Sequence, residues 1–91
     1  MAAERPGPDA SWVRVRVRID GDELTIRGKG PESYVIELAD MVNSRIQEVR
    51  RSHPNLARHH AAILAAMYLA DEAYRLRQEN RELTQILEEV R

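Results

Sequence analysis

Residues 12–27 read Trp12-Val13-Arg14-Val15-Arg16-Val17-Arg18-Ile19-Asp20-Gly21-Asp22-Glu23-Leu24-Thr25-Ile26-Arg27. Val13, Val15, Val17 and Ile19 alternate with Arg14, Arg16 and Arg18. A period of two in β-branched residues marks a strand with one buried face and one wet face. Asp20-Gly21 follows it. Asp-Gly between two alternating runs signals a tight hairpin, because glycine takes positive φ without steric cost. A two-residue loop there sets Val17 opposite Leu24, Val15 opposite Ile26 and Arg18 opposite Glu23. A loop shifted to Gly21-Asp22 also keeps the apolar residues on one face, so the pattern fixes the face more firmly than the register.

Downstream, Gly28-Lys29-Gly30 ends the second strand and Pro31-Glu32 opens a helix. Proline costs no amide hydrogen bond in a first turn, and an acid suits the positive end of the helix dipole. Val35, Leu38, Val42, Ile46 and Val49 fall three or four apart and form one helical stripe. Arg50 and Arg51 sit in the last turn, where cations are favoured. The helix should stop near Ser52-His53-Pro54, since proline disfavours helix in the residue before it.

From Asn55 to Arg91 there is no glycine and no proline. A helix of about 37 residues, roughly 55 Å long at 1.5 Å per residue, is expected. It carries two stripes. Leu56, Ile63, Met67, Ala70 and Tyr74 are expected to close the core over the hairpin and first helix. A heptad places Ala66, Ala73, Asn80 and Leu87 at a, and Ala62, Leu69, Leu76, Leu83 and Val90 at d. The alanines Ala61, Ala62, Ala65, Ala66, Ala70 and Ala73 allow close helix approach. Beyond Tyr74 nothing in the same chain can cover Leu76, Leu83, Leu87 and Val90. At about 25 cal/mol per Å² of apolar area they represent several kcal/mol that a second helix would recover. Asn80 at an a position can fix register and oligomer number by pairing with its mate. Leu69, Leu76, Asn80, Leu83, Leu87 and Val90 are therefore the candidate oligomerisation residues. Residues 1–10 hold Pro6, Gly7 and Pro8 among small or charged residues and read as a disordered tail.

The expected architecture is α+β with element order ββαα. A hairpin and short helix over residues 11–54 form a small head. Residues 55–91 form one long helix whose first half packs on the head and whose second half is an oligomeric coiled coil.

Composition narrows the function. The chain has 91 residues, aromatics are 4% and phenylalanine is absent, so its single core must be aliphatic and thin. Oligomerisation is a usual remedy for so small a core. Net charge is -1, which gives no general pull toward nucleic acid or an anionic membrane. There is no cysteine, hence no disulfide or thiolate metal site. No apolar run approaches a membrane span, and no secretory signal opens the chain. The reading is a cytoplasmic protein.

Arg14, Arg16 and Arg18 make a basic stripe on the outer face of the first strand. It reads either as a surface for an acidic partner or nucleic acid, or as a solvated face cross-paired to Glu23 and Thr25. Arg45, Arg50 and Arg51 make a second cluster, with dipole compensation as the alternative to partner binding. Adjacent His59 and His60 point different ways on a helix and cannot readily chelate one ion. No nucleophile elbow, phosphate loop or ligand-sized pocket is foreseen, so no enzyme, cofactor, metal or small-molecule substrate is expected.

Three stretches together resemble a known family. They are Val17-Arg18-Ile19-Asp20-Gly21-Asp22-Glu23-Leu24-Thr25-Ile26, then Leu38-Ala39-Asp40-Met41-Val42-Asn43-Ser44-Arg45-Ile46-Gln47-Glu48-Val49, then Ala61-Ala62-Ile63-Leu64-Ala65-Ala66-Met67-Tyr68-Leu69-Ala70-Asp71-Glu72. Their order and spacing over residues 13–90 resemble the ZapA family of bacterial cell-division proteins, which associate with the FtsZ ring. The resemblance implies a head that binds FtsZ, a helix that forms dimers or tetramers, and bundling of FtsZ filaments at mid-cell. It puts Arg50 at the place of a basic contact residue at the end of the first helix. Arg51 and Arg45 join it by proximity. Asp22 stands where other members carry an arginine in the hairpin turn. A ribbon-type dimeric DNA-binding protein and a coiled-coil adaptor for another partner are the alternative readings.

Overall fold

The computed structural model describes residues 12–90. Its elements are β1 (Trp12–Ile19), β2 (Asp22–Lys29), α1 (Glu32–Ser52) and α2 (Arg58–Val90). The order is the expected ββαα. The disordered-tail expectation for residues 1–10 lies outside the described residues. The chain divides into two compact units, Met1–Glu48 and Val49–Arg91.

In the first unit β1 and β2 pair antiparallel around a two-residue loop. Val17 faces Leu24, Val15 faces Ile26 and Arg18 faces Glu23, so the Asp20-Gly21 loop is the one adopted. Asp20 has φ 54° and Gly21 φ 86°. Positive φ at both central positions is the type I′ geometry, whose twist matches the flanking strands. Aspartate tolerates the left-handed region better than most side chains.

The hairpin's inner face and α1 make the core. Val15, Val17, Val35 and Ala39 are buried together, with Val13, Ile19 and Ile26 partly buried around them. Gly28 fits that packing for a steric reason. A Cβ at Gly28 would lie 2.9 Å from Val35 Cγ2, closer than carbon atoms tolerate. Valine has few rotamers with which to yield. The glycine therefore does more than end the strand, since β2 continues through it to Lys29.

A polar clamp joins the hairpin tip to α1. The Asn43 side chain donates from Nδ2 to the Arg18 carbonyl at 2.7 Å. Its Oδ1 accepts from the Asp20 amide at 2.8 Å. Both backbone groups belong to the tip of the ribbon, where the ladder offers them no partner. One carboxamide, with both donor and acceptor, serves the two.

In the second unit, α1 ends as the Pro54 rule requires. The His53 amide still donates to Val49 O at 2.8 Å, and the chain then turns, with Leu56 N donating to His53 O at 3.1 Å. The long helix starts at Arg58 rather than at Asn55, because residues 53–56 are spent in that turn. The first bond of α2 runs from Ala61 N to Ala57 O at 2.9 Å. The 33 residues of α2 then run unbroken to Val90.

The first apolar stripe of α2 needs correction. Ile63, Met67 and Tyr74 are 49%, 64% and 63% exposed, and Ala70 is exposed as well. The buried residues of α2 are Ala61 and Ala65. Side-chain size misleads here. A similar shift occurs on α1, where Ala39 is buried and Leu38 is 42% exposed.

Two substitutions test the first unit. Asn43→Ala leaves the Arg18 carbonyl and the Asp20 amide without their side-chain partner, and should lower unfolding free energy by about 1–3 kcal/mol. Gly28→Val overpacks against Val35 and should cost about 1–3 kcal/mol. Urea unfolding at one fixed protomer concentration measures both. A loss under a few tenths of a kcal/mol for Asn43→Ala would mean that water serves the tip as well as the carboxamide does.

Candidate interaction surfaces

Three sets of residues were singled out by sequence, and each can be located. Arg45 lies on α1 in the first unit with its side chain only 24% exposed, and its Nε donates to Glu48 Oε1 at 2.9 Å. Arg45 is thus engaged within its own helix. Arg50 and Arg51 adjoin in the last turn of α1, in the second unit. Arg51 is exposed and Arg50 half-buried. Beside them the ring of His53 lies with Nδ1 3.3 Å from Val49 O, helping to close the helix end. The two arginines serve the dipole of α1 whatever else they do.

The oligomerisation set lies along α2. Leu69 is half-buried. Leu76, Leu83, Leu87 and Val90 are 64%, 60%, 67% and 78% exposed. Leu76, Asn80 and Leu83 border one shallow groove along the helix. Asn80 also borders a polar groove with Arg81, Thr84, Gln85 and Glu88. It thus marks one edge of the apolar strip. Its backbone carbonyl accepts from Thr84 Oγ1 at 2.9 Å. Arg75 and Asp71 pair at 3.0 Å one turn apart on the exposed surface.

The hairpin's outer face carries the third candidate set. Glu23 lies 3.2 Å from Arg16 and 3.6 Å from Arg18, using one carboxylate oxygen for each. The cross-strand pairing to Glu23 is therefore real, and it leaves Arg14 further along the strand.

No group of three or more His, Cys, Asp or Glu side chains among the described residues is placed to hold a metal ion. The rings of His59 and His60 stand 5.9 Å apart at 46° to one another. No helix among the described residues is long and apolar enough to cross a membrane. Sequence reasoning missed Asn43. The signal for it is general: a hairpin tip packed on a helix needs a donor and an acceptor, and Asn43 was the carboxamide in reach.

Residues 15–91 match the family model described as Cell division protein ZapA. The cell division protein ZapA of Shouchella clausii (strain KSM-K16) is 29% identical over 66 residues, which are 72% of this chain and 85% of that protein. The solved structure of a ZapA mutant dimer from Geobacillus stearothermophilus superposes with a TM-score of 0.74 at 29% identity, covering 93% of each chain.

The exposure of the Arg16–Glu23–Arg18 trio sets its worth. Water screens all three charges, so Glu23→Gln should lower stability by less than about 1 kcal/mol. Thermal unfolding at low and high salt checks this. A larger loss that persists at high salt would assign Glu23 a packing role.

Proposed function

This chain belongs to the ZapA family of cell division proteins, and we propose that it acts without catalysis, by cross-linking FtsZ filaments at mid-cell in the cytoplasm. One observation carries this reading. Leu76, Leu83, Leu87 and Val90 stand exposed at heptad spacing on a helix that offers them no cover. Burying each against a second helix stabilises by about 1.5–3 kcal/mol before the entropy of association is subtracted. Self-association through α2 follows, and the dimeric state of the Geobacillus stearothermophilus relative supports it.

A symmetric assembly carries each protomer's binding surface at least twice. Two weak sites on one body gain avidity along a repeating polymer, because the second contact is made at a high effective concentration. Weak contacts thus suffice to bundle filaments and still let them exchange. The side chains proposed for the filament contact are Arg50 and Arg51, with Arg45 secondary because it is engaged with Glu48. Leu69, Leu76, Asn80, Leu83, Leu87 and Val90 are proposed for self-association, with Asn80 setting the register.

Low-speed pelleting of GTP-assembled FtsZ tests the function. The full chain should co-pellet and increase the sedimented filament, with the effect fading as salt rises. FtsZ that stays unbundled across the salt range would overturn the proposal. Leu76→Glu/Leu83→Glu should give a monomer in sedimentation equilibrium, retain weak filament binding and lose bundling. Undiminished bundling by that monomer would rule out bridging through α2. Arg50→Glu should keep the oligomer and weaken co-pelleting about tenfold, as expected for one charge-assisted contact.

A further inference from the structure

All three histidines of the chain, His53, His59 and His60, cluster in one short stretch of the second unit. They flank the turn between the two helices. His53 is the first residue after α1, and His59 and His60 lie in the first turn of α2. Arg50 and Arg51 stand in the last turn of α1, and Arg58 opens α2. No aspartate or glutamate occurs in the sequence between Glu48 and Asp71. Glu48 is bonded to Arg45. Asp71 lies about 16 Å along α2 from His60, at 1.5 Å per residue. Arg51 and the three histidines are exposed. Arg50 and Arg58 have partners within the protein, and the variable charge at the turn belongs to the histidines.

Imidazole is the side chain that gains its charge between about pH 8 and pH 5. Carboxylates stay ionised and arginines stay charged over most of that range. Residues 49–70 therefore carry three arginines and no acid when the imidazoles are neutral, and three further cations when they are protonated. The two helix ends respond with opposite sign. A charged His53 suits the negative end of α1, and its protonated Nδ1 faces the Val49 carbonyl at 3.3 Å. Charges on His59 and His60 fall at the positive end of α2, whose first turn holds no acid. Their rings stand 5.9 Å apart, so the two charges also repel one another. An acidic surface laid against the turn relieves both costs.

We propose that His53, His59 and His60 make the filament contact at the end of α1 sensitive to pH, meeting an acidic face of the filament beside Arg51 when they are protonated. This rests on the filament-binding reading of Arg50 and Arg51. The sign follows from linkage. The acidic face favours the charged imidazoles, so binding takes up protons. The contact is strongest below the range in which imidazole titrates, and loses the histidine contribution as pH rises through that range. The arginines alone supply what remains at high pH. The same turn thus holds a constant attraction and a variable one, set side by side on two helix ends.

The test is co-pelleting of GTP-assembled FtsZ with the full chain at about pH 6 and about pH 8, at one ionic strength, spanning the range in which imidazole titrates. Each point is paired with the variant His53→Gln/His59→Gln/His60→Gln, whose side chains are polar and do not titrate. Any response of FtsZ itself to pH is common to both proteins and cancels in their ratio. The parent should bind at least about threefold more tightly than the variant at the lower pH and equal it at the higher, since each exposed charge pair strengthens a contact by up to about fivefold. His59→Lys/His60→Lys, which holds the charge at both pH values, should bind more tightly than the parent at the higher pH. Sedimentation equilibrium should give one oligomer for all three proteins at both pH values. A parent-to-variant ratio that does not change with pH would overturn the proposal while leaving the filament-binding reading intact. A ratio that changes only together with the oligomer would overturn it as well, by assigning the histidines to assembly. No co-pelleting by the parent at either pH would overturn both readings.

Discussion

The Asn43 carboxamide holds the hairpin tip to α1, accepting from the Asp20 amide and donating to the Arg18 carbonyl. A lone two-stranded ribbon is marginal in water. This one persists because its inner valines rest on α1 and because its tip is fixed in two directions at once. The valines supply free energy but little direction, since apolar contact tolerates sliding. The carboxamide supplies the direction. It bonds Asp20 at the residue whose positive φ makes the two-residue turn possible. Register and turn type follow from that turn.

Within that frame the core is thin. Val15, Val17, Val35 and Ala39 are its buried members, and none is aromatic. Small side chains bring α1 close to the sheet, close enough that Gly28 has no room for a Cβ beside Val35. Close approach improves contact density but limits the apolar area that so few residues can bury. Meanwhile Ile63, Met67, Leu76, Leu83, Leu87 and Val90 remain exposed. A chain that leaves most of its large aliphatic side chains outside and buries chiefly alanine and valine, with Ile46, gains further burial in an assembly. Its fold and its self-association are then parts of one free-energy balance.

The hairpin was legible in the sequence because its signals agree: period-two valines, Asp-Gly, and an acid at Glu23 opposite Arg18. The register was not, since both loops kept the apolar face. The structure decides it through Asn43, whose partners lie 23 and 25 residues away and leave no local pattern. Helix α1 was legible from its stripe and from Pro54. The stripe of α2 was misread at Ile63, Met67 and Tyr74 because hydrophobicity was taken as a guide to burial. The residues of α2 that are buried are Ala61 and Ala65, which were noticed only as small. Among the candidate site residues, the exposure of Leu76, Leu83, Leu87 and Val90 was foreseeable from the length of the helix. The engagement of Arg45 by Glu48 was not, although a spacing of three on a helix allows it.

Charge teaches a related lesson about averages. A net charge of -1 argued against a polyanion as partner, and that inference holds for long-range attraction. It says nothing about the arrangement of charge on a β-ribbon, where alternation sends every second residue to one side. With Val13, Val15, Val17 and Ile19 inward on β1 and Arg14, Arg16 and Arg18 outward, the strand that builds the core also builds the basic strip. The acids that balance the sum lie largely elsewhere, on α1 and α2. Among the described residues Glu23 is the acid that stands on the strip itself, held by Arg16 and Arg18. Neutrality of the whole is therefore compatible with a surface a few residues wide that acts as a concentrated cation, and the period of two that decides the fold is also what makes that surface.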